Sequence, residues 1–489
     1  MAITNYRFPV ESAVLCINQN TQLFDIARVI IEFEVFEHIE KPFITASCSF
    51  YDEKNLSELM QNFRGTNVLS VKIRRPVKTG EDYDLIEKDF YVLEHSSIKA
   101  QNSGQSVIVL KLVEDIGFLT GLKEVNQTYS GTPWSIISSI ITNKLQKRIV
   151  FCCDDKFTIF QENMKVIVPR LDPLEAANWV KNSSTASFGL PLFLFSTLAD
   201  DYLTFTDLGT LYSQDIINPD YDFVYSQVAQ NKNVNQENVI IEYDSTKILN
   251  TFDIFRQNLL SADYSFYDIT TQNTSRFPFS IEEDVIQKLQ EFNVLDSNRT
   301  SAVDIDTTII IEGTPLSQFG HQISGAKKEI SLIQSKIYGN EFDFIKSRNE
   351  ETSSKESLQK VVARSLKKLL MKVPITVKLS GEAFISEMNR SLTTGKKIRL
   401  LFMANITDVN VQNQREAINH NLSGDYLIYM SRFIMTRDET FVILGCVKME
   451  NYAESFTQIP VDIRRDPPIN TEPAASSVDP VFGDFGAGP

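Results

Sequence analysis

Apolar and polar residues take turns along the first 124 residues of this chain. Ile31, Phe33 and Val35 alternate with Glu32 and Glu34. Ile44, Ala46, Cys48 and Phe50 alternate with Thr45, Ser47 and Ser49, and Leu69, Val71 and Ile73 with Ser70, Lys72 and Arg74. Successive side chains of a strand point to opposite faces, so a period of two marks half-buried strands and rules out helix there. Residues 90–95 and 107–113 predict a hairpin across Asn102-Ser103-Gly104. Such a region must fold as sheet, with one face covered.

The order of features then returns. Pro42 precedes the strand 43–51, followed by the acidic turn Leu56-Ser57-Glu58-Leu59-Met60, by Gly65 and by the strand 68–74. Later, Pro374 precedes the strand 375–379, followed by Ile385-Ser386-Glu387-Met388, by Gly395 and by the strand 398–403. Each series ends in a hairpin, the second formed by 426–435 and 441–447. Pro and Gly are 23 residues apart in the first series and 21 in the second. Two similar β modules in one chain let a symmetric oligomer mimic twice its own symmetry.

Between the modules the pattern is mixed. Thr132-Pro133 opens a helix running to about Leu145, a capping residue followed by Pro at the first helical position. Asp172-Pro173-Leu174-Glu175 opens another, which carries Trp179. Strands 190–195 and 202–205 follow, turning at Asp200-Asp201, and a further strand is expected at 238–243. Residues 248–260 read as helical or mixed. An insertion spans 271–355, with an acidic amphipathic helix at 281–292 and a polar loop at 348–355, and a basic helix at 356–372 leads into the second module. The expected fold is α+β and β-rich. Its divisions are 1–124 (first β domain), 125–234 (mixed α/β domain), 235–270 plus 356–455 (second β domain), 271–355 (insertion) and 456–489 (extended arm).

The arm holds six of the 17 prolines from Pro460 on and cannot build a core. Val481, Phe482 and Phe485 stand out in it. They belong either to an unanchored terminus or to a docking peptide for a partner.

Chemistry is sparse. Cys16, Cys48, Cys152, Cys153 and Cys446 form no CxxC pair, and adjacent Cys152 and Cys153 would point to opposite faces of a strand. Reduced thiols and synthesis in the cytoplasm are expected. His38, His95, His321 and His420 lack metal-ligand spacing. No GxSxG occurs, and Gly395-Lys396 has Arg390 where a P-loop needs its leading Gly. Gly313, Gly320 and Gly325 are too far apart for a dinucleotide turn. No cofactor or metal is expected. Paired carboxylates such as Asp154-Asp155 and Asp200-Asp201 leave a glycan hydrolase open, although Trp134 and Trp179 are the only tryptophans for a sugar platform. The first ten residues hold Arg7 and Pro9 and no apolar run, so no signal peptide is expected, and no stretch is long and apolar enough for a membrane span.

Lys and Arg number 48 against 63 Asp and Glu, a net charge of −15. Gripping nucleic acid needs clustered cations, so this chain is not built to hold it. The one basic cluster, Lys360, Arg364, Lys367, Lys368 and Lys372, is either a solvated helix face or a contact to an acidic partner.

Phe50-Tyr51-Asp52-Glu53-Lys54-Asn55-Leu56, followed by Gly65 and a strand, resembles the first tube-like domain of the central hub proteins of contractile phage-tail baseplates. Asp172-Pro173-Leu174-Glu175-Ala176-Ala177-Asn178-Trp179 with Gly189-Leu190-Pro191-Leu192-Phe193-Leu194-Phe195 and Tyr202-Leu203-Thr204-Phe205 is similar as well, as is the closing Gly424-Asp425-Tyr426-Leu427-Ile428-Tyr429. The order of features over about 10–455 carries the resemblance. It implies two tube-like β-barrel or sandwich modules per chain. It also implies a homotrimer that joins the sixfold tail tube to a threefold central spike in the virion's baseplate, without enzymatic activity. The implied partners are the spike protein, a tail tube or tube-initiator protein and other baseplate proteins, with DNA only as passing cargo. Glu32 and Glu34 are candidates for an acidic channel wall that repels phosphates, and a plain solvent-facing strand side is the other reading. A non-phage contractile injection system is the alternative setting. Because the chain ends soon after the second β region, the spike is expected to be a separate protein. The long arm and the insertion depart from the family's pattern.

Overall fold

The alternating segments become strands in the computed structural model. It describes residues 8–17, 22–61, 66–75, 84–99, 106–154, 157, 164–217, 223–225, 239–245, 261–268, 274–280, 284, 287–291, 310–311, 314–315, 328–333, 359–360, 362–368, 374–380, 393–403, 419 and 422–451. From the first 124 residues come β1 (Val10–Ile17), β2 (Gln22–Asp25), β3 (Ile30–His38), β4 (Thr45–Tyr51), β5 (Val68–Arg75), β6 (Asp84–Lys99) and β7 (Ser106–Glu114). The short helix α1 (Leu56–Gln61) follows β4, and α2 (Asp115–Thr120) follows β7. The period of two does what it predicts: on β4, Ala46, Cys48 and Phe50 are buried, while Thr45, Ser47 and Ser49 stay half-exposed.

The mixed region holds β8 (Thr128–Gly131), α3 (Pro133–Ile140), β9 (Ile149–Phe151), β10 (Met164–Ile167), α4 (Pro173–Asn182), β11 (Leu192–Ser196), β12 (Leu203–Asp207) and α5 (Leu208–Ser213). Both expected caps form. Thr132 Oγ1 accepts from the Ser135 N–H at 3.2 Å and Asp172 Oδ1 from the Glu175 N–H at 2.8 Å, each before a Pro. The helix of α3 runs on to Leu145 as a single π turn. β9, β11 and β12 form a separate three-stranded sheet, and all five residues of β11 are buried.

Next come β13 (Phe223–Tyr225), β14 (Ile240–Asp244), β15 (Ser261–Asp268), β16 (Thr274–Ser280), α6 (Gln287–Glu291), β17 (Ile310–Ile311), β18 (Thr314–Pro315) and β19 (Lys328–Ile333). β15 pairs with β16 and β19, so strand structure reaches into the stretch read as an insertion. Of the acidic helix expected at 281–292, α6 lies among the described residues. Residues 359–360 and 362–368 of the basic segment are helical, with Val362, Ala363 and Leu366 buried and Lys360 and Arg364 exposed. The chain's last described strands are β20 (Pro374–Ser380), β21 (Lys397–Phe402), β22 (Gly424–Thr436) and β23 (Thr440–Asn451).

Thirteen of these strands make one sheet. Its path is β14-β20-β23-β22-β3-β4-β7-β6-β5-β1-β2, with β21 beside β22 and β13 beside β21. The order repeats: β3-β4-β7-β6-β5-β1 in the first half and β14-β20-β23-β22-β21-β13 in the second. The registers repeat too. Ile30 opposes Phe50 as Ile240 opposes Leu379, and Phe50 opposes Ile108 as Leu379 opposes Val442. Val92 opposes Leu112 as Ile428 opposes Cys446, and Leu69 opposes Phe90 as Ile398 opposes Tyr426. Each half carries an extra residue at the same two places, Ile31 and Leu93 in one, Ile241 and Tyr429 in the other. The halves differ in their last pair, for β1 runs antiparallel to β5 whereas β13 runs parallel to β21. By register Pro374 matches Thr45 rather than Pro42, so the two prolines are not counterparts.

The inward faces of both halves share one core, in which Leu15, Phe33, Cys48 and Leu110 join Ile375, Val377, Tyr426 and Leu444. A second core fills the mixed region, from Ile137, Ala177, Leu194 and Phe205 out to Val362 and Leu366.

Candidate functional site

The two halves meet where β22 pairs antiparallel with β3, from Met430 opposite His38 to Thr436 opposite Glu32. Phe33 and Val35 on β3, with Phe433 and Met435 on β22, face the shared core. Alternation therefore puts Glu32, Glu34 and Phe36, with Arg432, Ile434 and Thr436, on the other face. That face continues through Ser47 and Ser49 on β4, Val109 and Lys111 on β7, Thr376 and Lys378 on β20 and Ile443 on β23.

Charges on this face answer one another. Arg432 pairs with Glu34 at 2.5 Å and lies over the Phe36 ring. Lys111 pairs with Glu94 at 2.5 Å, and Lys378 caps the Phe441 ring at 4.1 Å. Burial, then the charge of Glu34, raises the Glu32 carboxyl above its ordinary pKa.

Behind the joint lies a set of buried ionisable groups. Glu37, near the end of β3, is 1% exposed and accepts hydrogen bonds from the Leu198 N–H at 2.5 Å, the Thr394 N–H at 3.1 Å and the Ser431 hydroxyl at 2.7 Å. These donors come from the turn after β11, the approach to β21 and β22 itself, so one carboxylate ties three parts of the chain together. Burial raises its pKa against the pull of those bonds. Glu114, equally buried, accepts from the Ile44 N–H at 3.2 Å, the Ser196 hydroxyl at 2.9 Å and the Lys147 ammonium at 3.1 Å. Lys88 reaches the Asp200 carbonyl at 2.6 Å and Asp201 at 3.0 Å. Glu40 bridges Lys181 at 3.2 Å and Lys367 at 2.9 Å. Burial pushes Lys181 down to about 8 although Glu40 pulls the other way. Burial would raise Glu40, but the charges of Lys181 and Lys367 hold it below the ordinary carboxylate value.

The chemistry of this arrangement is fastening. Its carboxylates are engaged by backbone N–H groups, hydroxyls and ammonium groups that hold β3, β22 and the mixed region in register. Among the described residues no three His, Cys, Asp or Glu come together as a metal ion would require, and no helix is long and apolar enough to cross a membrane.

Glu32 and Glu34 thus sit together on the face away from the core, beside a cation. Val481, Phe482 and Phe485 lie outside the described residues, as do His321 and His420. His38 Nδ1 accepts from the Glu40 N–H at 3.0 Å, and its ring meets Tyr429 edge-on. Cys16, Cys48 and Cys446 are buried thiols, Cys152 is exposed and Cys153 lies between.

Two features escaped the sequence reading, and each had a signal. Glu37 follows Phe33 and Val35 in the core-facing phase, where a carboxylate must find buried partners. The tetrapeptide Val29-Ile30-Ile31-Glu32 returns as Val239-Ile240-Ile241-Glu242, each followed by an aromatic and an acid, and these are the starts of the equivalent strands β3 and β14.

No protein-family model and no curated protein sequence matches the chain. Among solved structures it is similar to a tail protein from Neisseria meningitidis at 11% identity and a TM-score of 0.49, over 91% of this chain and 97% of that one. It is also similar to the 43 kDa tail protein of prophage MuSo2 from Shewanella oneidensis, at 9% identity and a TM-score of 0.48, over 90% and 98% of the two chains. A third likeness is to an Escherichia coli component of the type VI secretion system, at 9% identity and a TM-score of 0.38, over 93% and 79%. At these values none of the likenesses assigns a role.

Proposed function

We propose that the chain is a structural, non-enzymatic protein of a contractile tail. In this reading it is a baseplate hub whose three copies close into a ring between the sixfold tube and the threefold central spike. The observation that carries the reading is the repeat of strand order and register within one sheet. A chain with two equivalent β modules gives a trimer six modules around its axis, which is what a junction between sixfold and threefold parts requires. In this reading the first tube-like module lies in residues 1–124 and the second in 235–270 plus 356–455, with β13 of the mixed region adding a strand to the second and β15 set apart in its own sheet, while the rest of 125–234 braces their joint.

The face holding Glu32 and Glu34 is the channel wall. Its carboxylates alternate with Arg432, Lys111 and Lys378, so it offers passing DNA no cationic patch to hold its phosphates, and the chain as a whole carries −15. The spike, a tube or tube-initiator protein and other baseplate proteins are the partners, and Val481, Phe482 and Phe485 of the arm are a docking element for one of them.

Light scattering on the full chain, alone and with a spike protein, tests the reading. A mass near three times 55.6 kDa and a three-lobed ring with a central hole in micrographs support it. A chain that stays monomeric under both conditions and clears peptidoglycan overturns it in favour of a hydrolase.

A further inference from the structure

The internal joint has a counterpart that the chain leaves open. β22 is lined by β23 on one side, and on the other first by β21, as far as Leu427, and then by β3, from Met430. Its equivalent β6 is lined by β7 on one side as far as Lys99, and on the other by β5 only as far as Tyr91. The place that β3 takes on β22 has no strand in it on β6 among the described residues. The strand equivalent to β3 is β14, and β14 stands at the end of the sheet path.

Exposure agrees. Leu93 and Ile98 on β6 are 56% and 62% exposed and Ile241 on β14 is 48% exposed, whereas their counterparts Tyr429, Ile434 and Ile31 are all partly covered. Apolar residues on an uncovered strand edge are what natural sheets avoid unless another strand covers them.

We infer that the end of β6 in one copy pairs antiparallel with β14 of a second copy, in the register that joins β22 to β3 within the chain. Carrying that register across sets Ser97 opposite Ser245, Ile98 opposite Asp244 and Lys99 opposite Tyr243, the counterparts of Phe433 with Val35, Ile434 with Glu34 and Met435 with Phe33. The contact is head-to-tail, the kind that closes a ring or runs on as a filament. Its composition differs from the internal joint: two serines replace the apolar pair Phe433 and Val35, and Ser96 stands where Arg432 holds Glu34. The joint between copies is therefore weaker than the joint within one, and assembly is reversible on dilution. This inference rests on the ring reading above and names the edges that close it.

Cysteine pairing in the full chain tests it, with the exposed Cys152 and the half-buried Cys153 removed by Cys152→Ser and Cys153→Ser. Facing residues of an antiparallel pair lie about 4.5–5.5 Å apart at Cα, within disulfide reach. Ile98→Cys combined with Asp244→Cys, under mild oxidation, is expected to give reducible covalent multimers ending at three chains, with no such ladder from either single variant. Lys99→Cys with Tyr243→Cys is expected to do the same, which guards against a folding defect in the first pair. The shifted pair Ile98→Cys with Glu242→Cys is expected to link at least about fivefold more slowly.

A trimer by light scattering in which neither in-register pair links, or in which the shifted pair links as fast, overturns the inference and leaves the ring reading standing. Links that stop at two chains support the joint and overturn threefold closure. A chain monomeric at every concentration, with no links, overturns both.

Discussion

Glu37 decides how rigidly the two halves are held. It is a carboxylate on the core side of a strand, 1% exposed, and its three donors lose their acceptor once it is gone. Glu37→Ala is expected to cost about 3–5 kcal/mol, since two backbone N–H groups and a hydroxyl lose their acceptor, and Glu37→Gln about 1–2 kcal/mol because one oxygen still accepts. Urea midpoints at pH 7 measure both. The same residue sets a pH slope. Its folded pKa is raised, so as pH climbs the unfolded chain releases this proton first. Its contribution is therefore greatest below the ordinary carboxylate pKa and declines as pH rises from there towards the folded value. Glu37→Gln is expected to lack that decline. Lys181 gives a slope of opposite direction at alkaline pH. Folding lowers it to about 8, so between about 8 and the ordinary lysine value the unfolded chain holds the extra proton and stability on this account rises with pH. Lys181→Met is expected to lose that rise, read as the difference from the unmodified chain between pH 8 and 10. An equal rise in the variant would assign it to other groups.

At the scale of elements, local sequence and long-range placement separate cleanly. Asp172 caps α4 and also accepts from the Thr120 hydroxyl at 2.8 Å, so it fixes both where the helix starts and where α2 ends. Asp172→Ala is expected to cost about 1–2 kcal/mol, measured by thermal unfolding. Gly189 has φ +89°, and a Cβ there would sit 2.9 Å from the Gln359 carbonyl oxygen and from Val362. Gly189→Ala combines backbone strain with displacement of Gln359 and Val362, and a loss of about 2 kcal/mol is expected in the same melts. The caps were legible because a cap is a local hydrogen bond between neighbours in the chain. Strands with one buried face, such as β4 and β5, were legible from their period of two. β16 was not, because Pro278 breaks its strand reading, and three-residue β13 is too short to carry a period. Nor could alternation say which strand lies beside which. It put Glu32 and Glu34 on the face away from the core, but their neighbour Arg432 comes from far along the chain. The bond between Glu37 and Ser431 likewise spans 394 positions.

For the whole molecule, the central question is whether two modules in one chain behave as one body. A ladder from Met430 to Thr436 joins them, and the shared core passes beneath it without a break. Phe33 sits at the middle of this arrangement: it opposes Met435 across the joint and meets Phe90 edge-on at 6.1 Å. Cutting it to Ala removes about 3–5 kcal/mol of packing from the first module's own strand. If the modules were independent, only the amides of β3, β4 and β6 would exchange faster. Because the joint makes β3 the edge on which β22 rests, the loss is expected to spread: peptides from β22 and β23 should lose protection by a similar factor, while those from β11 and β12, in the other core, change much less. Hydrogen exchange followed by mass spectrometry reads all three sets in one experiment. A response confined to the first module would make the continuous sheet a contact between separable domains that flexes where β3 meets β22.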